Sequence, residues 1–380
     1  MFTYQKTNRY FALTADGVAE LAAIELSELG ATEVGPVFRG VYFNASSQAL
    51  YRINLETRLC TRVIAPLLSF DCHSDRYLKQ TAAKLPWHLL LNENQTFAIR
   101  ATVANSRITH SQYAALCLKD AVADYFMDRV GKRPNVDRRD PDLWLDLHLE
   151  RNQATIGLDT SGGSLHRRGY RVETVAAPMR ETLAAAILCL TGWDGERPLV
   201  DPMCGSGTLL AEAMLSYCRI PAAGQRSRFG FMRLPDFDPQ LWSKVLAAAE
   251  SGIRPLPPAG LISGSDLSSE AVAAARCNLN TLPQGAAIQI TAAPFQDLAG
   301  IADSVIVCNP PYGVRLKDAE QARRLLDEFG SFLKHRCLGS TAYLYLGERE
   351  LLKSVGLRPS WKRPLKNGGL DGVLAKYELY

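Results

Sequence analysis

The pattern of apolar and polar positions predicts an α+β region in the first 160 residues. Residues 18–29 repeat apolar side chains at helical spacing and end at Gly30, a residue that commonly terminates helices. Residues 112–130 predict a second, longer helix that ends at Gly131. The alternation typical of strands recurs in several segments: 9–13, 37–43, 96–103, 143–149 and 154–158. A short polar stretch separates the last two, which predicts a β-hairpin.

A different order of elements follows Ser161-Gly162-Gly163-Ser164, a segment that predicts a linker. Beyond it, strands and helices alternate as a doubly wound parallel sheet requires. Predicted strands cover 198–200, 261–266, 287–292, 304–308 and 342–346, and Ser268 is placed to cap a helix over 269–279. Residues 361–366 and 373–379, joined by Asn367-Gly368-Gly369, predict a terminal antiparallel hairpin.

A glycine-rich turn follows the first strand of this second half, with the sequence Asp201-Pro202-Met203-Cys204-Gly205-Ser206-Gly207-Thr208. Its two glycines let the backbone approach a ligand closely and adopt positive φ. The turn lacks the lysine of a phosphate-binding loop and the third glycine of the dinucleotide fingerprint. Asp201 would repel a pyrophosphate. It suits a cationic ligand, such as the amino and sulfonium groups of S-adenosylmethionine.

A second motif, Asn309-Pro310-Pro311-Tyr312, comes directly after the apolar run 304–308. Because proline can neither continue a strand ladder nor open a helix at once here, the chain must turn. It turns at the carboxyl end of a strand, where open α/β sheets bind ligands. The side-chain carbonyl of Asn309, the main-chain carbonyl of Pro310 and the ring of Tyr312 together suit the exocyclic amine of an extruded base. An ordinary Pro-Pro turn is the alternative.

Together, the two motifs resemble those of class I S-adenosylmethionine-dependent methyltransferases that modify exocyclic amines. Residues 133–138, 164–171, 177–187 and 366–371 narrow the resemblance to the bacterial ribosomal RNA large subunit methyltransferase L family. These are THUMP-domain enzymes that methylate guanine N(2) in 23S rRNA, and the similarity runs along nearly the whole chain. Some members continue into a second methyltransferase domain, an activity that we do not expect of a chain ending at Tyr380.

The resemblance implies three regions: a ferredoxin-like region over 1–50, a THUMP RNA-binding domain over 51–160 and a Rossmann-like methyltransferase domain over 161–380. The last should hold a seven-stranded sheet with an antiparallel terminal hairpin. Its cofactor should be S-adenosylmethionine. The implied cofactor contacts are Asp201, Pro202, Cys204, Gly205, Ser206, Gly207, Thr208, Asp266, Leu267, Asp297 and Asn309. The implied catalytic residues are Asn309, Pro310, Pro311 and Tyr312, which would hold and orient the target amine.

Cationic residues concentrate in three stretches of the second half. The net charge of the whole chain is +4, yet residues 161–180, 213–235 and 351–370 alone carry +3, +4 and +5. Clustered cations suit a phosphate backbone, although solvated loops on different faces would give the same composition. The residues expected to contact RNA are Arg167, Arg168, Arg171, Arg363 and Lys366.

The composition and the N-terminal sequence restrict the cellular compartment that we expect for this protein. Nine cysteines without any C-x-x-C pair favour a reducing cytoplasm over a disulfide framework or a zinc site, so no metal is expected. Residues 1–10 lack the apolar core of a signal peptide, and the apolar stretch 183–190 is too short to span a bilayer. Three alternatives stay open: an N(6)-adenine nucleic-acid methyltransferase, a tRNA guanine-N(2)-methyltransferase and a catalytically silent RNA-binding protein.

Overall fold

Two β-sheets organise the protein, as seen in a computed structural model that describes residues 1–174, 178–255, 257–283, 285–311 and 319–380. The first sheet has eight strands and is built from residues 9–159. The second has seven strands and is built from residues 199–378. Within the described ranges, no helix combines the length and the apolar character needed to cross a membrane.

The first sheet belongs to the α+β half. Its strands are β1 (Arg9–Thr14), β2 (Thr32–Val37), β3 (Gly40–Asn44), β4 (Cys60–Asp71), β5 (Thr96–Ala104), β6 (Asn135–Val136), β7 (Leu143–Glu150) and β8 (Gln153–Asp159). Their spatial order is β2-β3-β1-β4-β8-β7-β5-β6. The accompanying helices are α1 (Thr3–Thr7), α2 (Ala19–Glu28), α3 (Ser47–Glu56), α4 (Asp75–Ala82) and α5 (Ser111–Val130). Both predicted helices and the predicted β7–β8 hairpin are confirmed.

The strand β4 makes this sheet continuous across the two N-terminal regions. Its first half pairs with β1, from Cys60 to Ile64, and its second half pairs with β8, from Ile64 to Asp71. The domain boundary expected between residues 50 and 51 lies inside α3, which runs from Ser47 to Glu56. The ferredoxin-like and THUMP regions therefore share one sheet.

One strand prediction is wrong. Residues 37–43 do not form a single strand, because the chain reverses at Phe38 and Arg39 between β2 and β3. Val37 pairs with Gly40 across this two-residue turn, and Arg39 adopts a φ of 59°. Two-residue hairpin turns usually contain Asn-Gly or Asp-Gly. Because this turn contains neither pair, the sequence did not predict the reversal.

The first sheet leaves one face open, as the alternation along its strands shows. In β7, the side chains of Leu143, Leu145 and Leu147 are buried, whereas the half-buried Trp144 and the exposed His148 line a wide cleft. This cleft has a volume of about 2200 Å³ and runs between the open sheet face and the second half of the chain. The fold therefore places an extended groove between its two sheets.

The second sheet is doubly wound, as predicted. Its strands are β9 (Leu199–Asp201), β10 (Ile262–Asp266), β11 (Gln289–Ala292), β12 (Val305–Cys308), β13 (Thr341–Leu346), β14 (Trp361–Asn367) and β15 (Leu370–Glu378), in the order β11-β10-β9-β12-β13-β15-β14. The first five strands of that order are parallel, and β15 is antiparallel to both β13 and β14. Its helices are α6 (Glu181–Thr191), α7 (Thr208–Tyr217), α8 (Pro239–Ser251), α9 (Ser269–Asn280) and α10 (Ala319–Arg336). The expected terminal hairpin is confirmed.

The segment Ser161–Ser164 is not a flexible linker. Ser161 is buried, its hydroxyl donates to Oδ1 of Asn54 at 2.9 Å, and it accepts from the Val63 amide at 2.9 Å. A Cβ on Gly162 would lie 2.8 Å from the amide nitrogen of Gly230. Small residues occur here because two backbones approach closely, rather than because the chain must bend freely.

An aromatic cluster joins the insertion between α7 and α9 to the first half of the chain. The ring of Tyr51, on α3, stacks on Phe231 with the centroids 4.5 Å apart, and Trp242 packs edge-on against both rings. The Tyr51 hydroxyl accepts from the Asp238 amide at 3.0 Å. Aromatic packing of this kind contributes about 0.5–1.5 kcal/mol per pair beyond the buried area. The insertion therefore fixes the position of one sheet relative to the other.

A buried ion pair lies at the same junction. Nε of Arg168 donates to Oε1 of Glu212 at 3.3 Å, and the two side chains are only 1% and 0% exposed. Arg168 also donates to the carbonyls of Leu165 and Arg58 at 2.9 and 2.6 Å. The structure therefore does not support the predicted contact between Arg168 and RNA, because the side chain is buried.

Arg58 completes the junction from the side of the first sheet. Its Nη2 donates to the carbonyls of Leu215 and Ile220, at 2.8 and 2.7 Å, and so binds the carboxyl end of α7. A cation at this end of a helix satisfies carbonyls that have no partner within the helix and complements the helix dipole. The helix that follows the glycine turn is thus held by a residue from the other half of the chain.

Glu212→Ala should destabilise the fold by about 3–5 kcal/mol, because it leaves Arg168 charged, buried and without its carboxylate. The matched control is Asp140→Ala, which removes the exposed carboxylate 2.5 Å from Arg228. Loss of an exposed pair should cost less than about 1 kcal/mol. Urea unfolding followed by circular dichroism measures both. Equal effects of the two substitutions would contradict the assigned role of the buried pair.

Candidate active site

Three adjacent parallel strands end at the same edge of the second sheet. The strand β9 ends at Asp201, β10 ends at Asp266, and β12 ends at Cys308, directly before Asn309. Because the three strands are neighbours in the order β10-β9-β12, their carboxyl ends place the predicted cofactor and substrate residues side by side. The two motifs, about a hundred residues apart in sequence, therefore form one site.

The glycine turn packs tightly against its neighbours. The Cys204 amide donates to the Ser265 carbonyl on β10 at 2.9 Å, and the Gly207 amide donates to the Cys204 carbonyl at 2.9 Å. Gly205 and Gly207 adopt φ values of 54° and 79°, in the left-handed region that favours glycine. A Cβ on Gly264 would lie 3.0 Å from the carbonyl oxygen of Asp201, so this strand glycine permits the close approach of the turn.

Asp266 binds the turn and still offers acceptors. Its Oδ2 accepts from the Gly205 amide at 2.8 Å, and its Oδ1 accepts from the Ser268 amide at 2.9 Å. A carboxylate has about four acceptor positions, so two remain for the hydroxyls of a ribose. The next side chain, Leu267, is 77% exposed. An apolar surface beside a diol-binding carboxylate could hold the adenosine part of a cofactor.

Asp201 is a buried acid within the turn. It accepts from the Met203 amide at 3.2 Å. Burial, together with the nearby charge of Asp266, raises its pKa to about 8. A cationic group placed beside Asp201 would favour the ionised form and lower this pKa again. The site therefore suits a ligand that brings positive charge, in agreement with the expectation from sequence.

Asn309 lies buried just beyond the end of β12. Among the described residues, nothing donates a hydrogen bond to its side-chain oxygen, although this atom is shielded from solvent. A buried acceptor without a partner costs about 1–3 kcal/mol, so it is typically retained where a ligand supplies the donor. Pro310 is buried and Pro311 half-buried. Tyr312, predicted to stack on the base, lies outside the described residues.

Arg171 lies beside the glycine turn, and its contact with RNA stays a prediction that this position does not favour. Its guanidinium donates to Oε1 of Glu181 at 2.9 Å and to Oγ1 of Thr208 at 3.0 Å, at the first residue of α7. Its Nη1 is buried without an acceptor among the described residues. An unused donor beside a helix N-terminus could hold a carboxylate. Sequence reasoning grouped Arg171 with its cationic neighbours and missed this position.

Asp297 occupies a different place from the other acids. It ends a 3₁₀ turn, Phe295–Asp297, whose first residue packs on Phe329 and Phe332 in the second half of α10. The flanking carbonyls of Gln296 and Leu298 accept from Arg336, in the last turn of α10. Because α10 runs back toward the amino ends of the strands, these contacts draw Asp297 away from the site. Its contact with adenine stays a prediction that the packing does not favour.

Cations dominate the cleft between the two sheets, where twelve arginine and lysine residues face five carboxylates. Arg167 and Lys366 line it, as the RNA prediction requires, although Lys366 also pairs with Asp16 at 3.1 Å. Arg363 is paired with Glu20 at 3.5 Å. Other cations come from the first half and were missed, because they are scattered in sequence: Arg9, Arg39, Arg62, Arg100, Arg138 and Arg139. Only the sheet brings them together.

The fold and the site are those of a class I methyltransferase: a seven-stranded sheet, an acidic glycine turn and an Asn-Pro-Pro segment at the strand ends. An N-terminal module of the kind found in RNA-binding proteins precedes it. A family profile described as RMKL-like, methyltransferase domain, matches residues 168–376. A THUMP domain profile matches residues 73–159, and an RlmL ferredoxin-like domain profile matches residues 9–64. The chain belongs to this family of S-adenosylmethionine-dependent methyltransferases.

Individual relatives agree with the family. A Synechocystis protein, slr0064, whose name assigns it provisionally to the RNA methyltransferases, is 40% identical over 98% of this chain and 97% of its own length. The ribosomal RNA large subunit methyltransferase K/L of Syntrophotalea carbinolica is 38% identical, but the chain spans only 53% of it. The crystal structure of SMU.472, provisionally a methyltransferase and complexed with S-adenosylhomocysteine, superposes with a TM-score of 0.85, at 26% identity and 98% coverage of both chains.

The residues at the strand ends fit S-adenosylmethionine. Asp266 and Leu267 could hold the ribose and adenine, Asp201 could face the positive groups, and the free donor of Arg171 could bind the carboxylate. The described residues contain no cluster of three or more His, Cys, Asp or Glu that could hold a metal ion. The site thus offers candidate partners for the ribose, the positive groups and the carboxylate of this cofactor.

The assignment of two cofactor contacts can be tested with a truncated ligand. Asp266→Ala should weaken S-adenosylhomocysteine and 5′-methylthioadenosine alike, roughly ten- to a hundredfold, because both carry the ribose. Arg171→Gln should weaken only S-adenosylhomocysteine, since the second ligand has no carboxylate. Isothermal titration calorimetry measures all four combinations. If Arg171→Gln weakens both ligands equally, Arg171 merely holds α6 against the glycine turn.

Cofactor binding should depend on pH through Asp201. Its raised pKa means that the free protein carries a proton there below about pH 8, and a cationic ligand must displace it. Affinity for S-adenosylhomocysteine should therefore rise by up to about tenfold per unit between pH 6 and 7.5, and level off above about pH 8, where Asp201 is already ionised in the free protein. Asp201→Asn should flatten this profile. If the affinity of the wild type did not change with pH, Asp201 would not interact with the positive charge of the ligand.

Proposed function

We propose that this protein transfers the methyl group of S-adenosylmethionine to the exocyclic amine, N(2), of a guanine in 23S rRNA. The observation that carries this proposal is the buried, unpartnered side-chain oxygen of Asn309 at the same sheet edge as the cofactor residues. An exocyclic amine has two N–H donors, and this acceptor is positioned to receive one of them. The family supplies the substrate class, because its curated relatives include ribosomal RNA large subunit methyltransferases.

The chemistry required of the chain is mainly orientation. When bound, S-adenosylmethionine supplies an electrophilic methyl group. The amine of guanine is a weak nucleophile, since its lone pair is delocalised into the ring. Asn309, with the carbonyl of Pro310, would hold both N–H groups and direct the lone pair at the methyl carbon. Correct positioning of two reactants can supply about 7–11 kcal/mol of the barrier, and the same acceptors stabilise the positive charge that develops on nitrogen.

The cleft supports RNA as the substrate. Its excess of cations complements a phosphate backbone, and it separates the catalytic sheet from a sheet whose open face carries Arg62 and Arg100. Part of the second wall is formed by Thr182, next to the Glu181 that binds Arg171 beside the glycine turn. RNA held in the cleft would therefore lie close to the cofactor site.

An Asn309 acceptor would serve an adenine N(6) amine equally well, so the base must be identified by experiment. The full chain should be incubated with labelled S-adenosylmethionine and, separately, with protein-free 23S rRNA, tRNA and duplex DNA. Nucleoside mass spectrometry after digestion should find N(2)-methylguanosine in 23S rRNA alone. Methyladenine, or methylation confined to tRNA or DNA, would contradict the proposed substrate while leaving the methyltransferase assignment intact.

Asn309→Ala should lower turnover about a hundred- to a thousandfold, the usual effect of removing one preorganised polar contact. Affinity for S-adenosylhomocysteine should change little, because the substitution leaves the glycine turn and Asp266 in place. Asn309→Asp retains an acceptor oxygen at the same position and should keep more activity than the alanine variant. Single-turnover assays on 23S rRNA measure these rates. An alanine variant that matches the wild-type rate would remove Asn309 from the reaction.

A further inference from the structure

One exposed aromatic surface of the ferredoxin-like region is not explained by the methyltransferase site. It consists of Arg9 and Phe11 on β1, Phe38 at the β2–β3 turn, and Tyr42 on β3; we call these four residues the aromatic platform. All four line the cleft between the two sheets. Phe38 is 79% exposed, and Tyr42 is also exposed. Large aromatic side chains left open to water in this way usually mark a binding surface.

Residues of the platform pack against each other, so the platform is more than a set of separately exposed side chains. Phe11 and Tyr42 are directly opposite each other on paired strands, and their ring centroids are 4.7 Å apart. The guanidinium carbon of Arg9 lies 4.8 Å from the centroid of the Tyr42 ring. Gly40 leaves space for the Phe11 ring, because a Cβ on Gly40 would lie only 2.2 Å from Cζ of Phe11. The absence of a side chain at Gly40 therefore allows the Phe11 ring to pack directly over β3.

The chemistry of the surroundings indicates what covers this surface. The cleft is rich in cations, including Arg39 within the same turn, so a polyanion is favoured over an apolar or basic protein. Unpaired bases stack on aromatic rings and guanidinium planes of open sheets, whereas paired bases keep their faces stacked on each other. The combination of flat rings and phosphate-binding cations on one sheet face thus matches single-stranded RNA.

We propose that the aromatic platform binds an unpaired segment of the RNA substrate by base stacking, at a distance from the methylated nucleotide. This inference rests on the proposed RNA substrate, and it adds a second contact point on the ferredoxin-like region. Because that region shares one continuous sheet with the THUMP region, the stacked segment and the cations Arg62 and Arg100 lie on the same surface. The RNA would be held by stacking at one end of the sheet and by phosphate contacts along it.

The test measures RNA binding by the full chain, without catalysis. The probes are a single-stranded oligoribonucleotide of about 12 nucleotides and a hairpin duplex of the same length, titrated between about 50 and 200 mM salt. Phe38→Ala should weaken the single strand about tenfold. The slope of log Kd against log salt should stay unchanged, because no charge is removed. Arg39→Gln should instead lower that slope by about 0.7.

The matched control is Ile24→Ala, which removes an apolar side chain that is 61% exposed on α2, the helix that packs against β2 and β3 in the same domain. It should bind both probes as the wild type does. Phe38→Tyr keeps an aromatic ring and should restore single-strand affinity. A 2-aminopurine base in the single strand should be quenched by the wild type and less by Phe38→Ala.

Two results would contradict the proposal that the platform binds unpaired RNA. Either Phe38→Ala binds the single strand as tightly as Ile24→Ala does, or it weakens the duplex as much as the single strand. These outcomes are separate from failure of the proposed function, which would appear as absence of methylated guanine with the wild-type chain. A chain that binds single strands through Phe38 and methylates adenine would support the platform and contradict the proposed base.

Discussion

The buried pair between Arg168 and Glu212 holds in place α7, the helix that follows the glycine turn. Glu212 lies on α7, whose first residue, Thr208, closes the glycine turn, and Arg58 binds the carbonyls at the other end of the same helix. Arg168, from the second half, donates to the carbonyls of Thr57 and Arg58 in the first half, whereas Arg58 donates to carbonyls of the second half. Because a buried charge needs its hydrogen-bond partners, these contacts across the junction favour one arrangement of the two halves. The helix that follows the glycine turn is thereby joined to the N-terminal half.

This constraint gives the N-terminal half two roles. Its helical side packs on the insertion through Tyr51, Phe231 and Trp242, and so sets the distance between the two sheets. It also supplies six of the twelve arginine and lysine residues that line the cleft. A methyltransferase domain without the N-terminal half would expose the aromatic cluster. Its Arg168–Glu212 pair would also lose the hydrogen bonds from Arg168 to the carbonyls of Thr57 and Arg58. The cleft and the strand-end site are therefore connected through packing, although different residues line them.

The active site combines buried groups whose hydrogen-bonding capacity is incompletely used. Asp201 is an acid whose pKa is raised by burial, Arg171 keeps a buried donor without an acceptor among the described residues, and Asn309 keeps a buried acceptor in the same condition. Each such group lowers the stability of the free fold and is satisfied when a ligand brings the complementary atom. The three groups differ in charge and in donor or acceptor character. That difference matches a ligand pair made of a zwitterionic cofactor and a neutral amine.

The sequence by itself determined the elements and the chemistry that depend on local residues. Alternating strands, the Ser268 cap, the glycine turn and the Asn-Pro-Pro tip are encoded within a few positions, so Asp201, Asp266 and Asn309 could be assigned from their neighbours. Tertiary structure decided what depends on distant residues. Arg167 and Arg168 are adjacent in sequence, yet one lines the cleft and the other is buried, because only the second meets Glu212, 44 residues further along the chain. Likewise, Ser161–Ser164 has the composition of a linker but packs against Asn54 and Gly230, and the aromatic platform exists only because β1 pairs with β3. Local sequence sets backbone preferences and residue chemistry, whereas burial and charge pairing are properties of the whole fold.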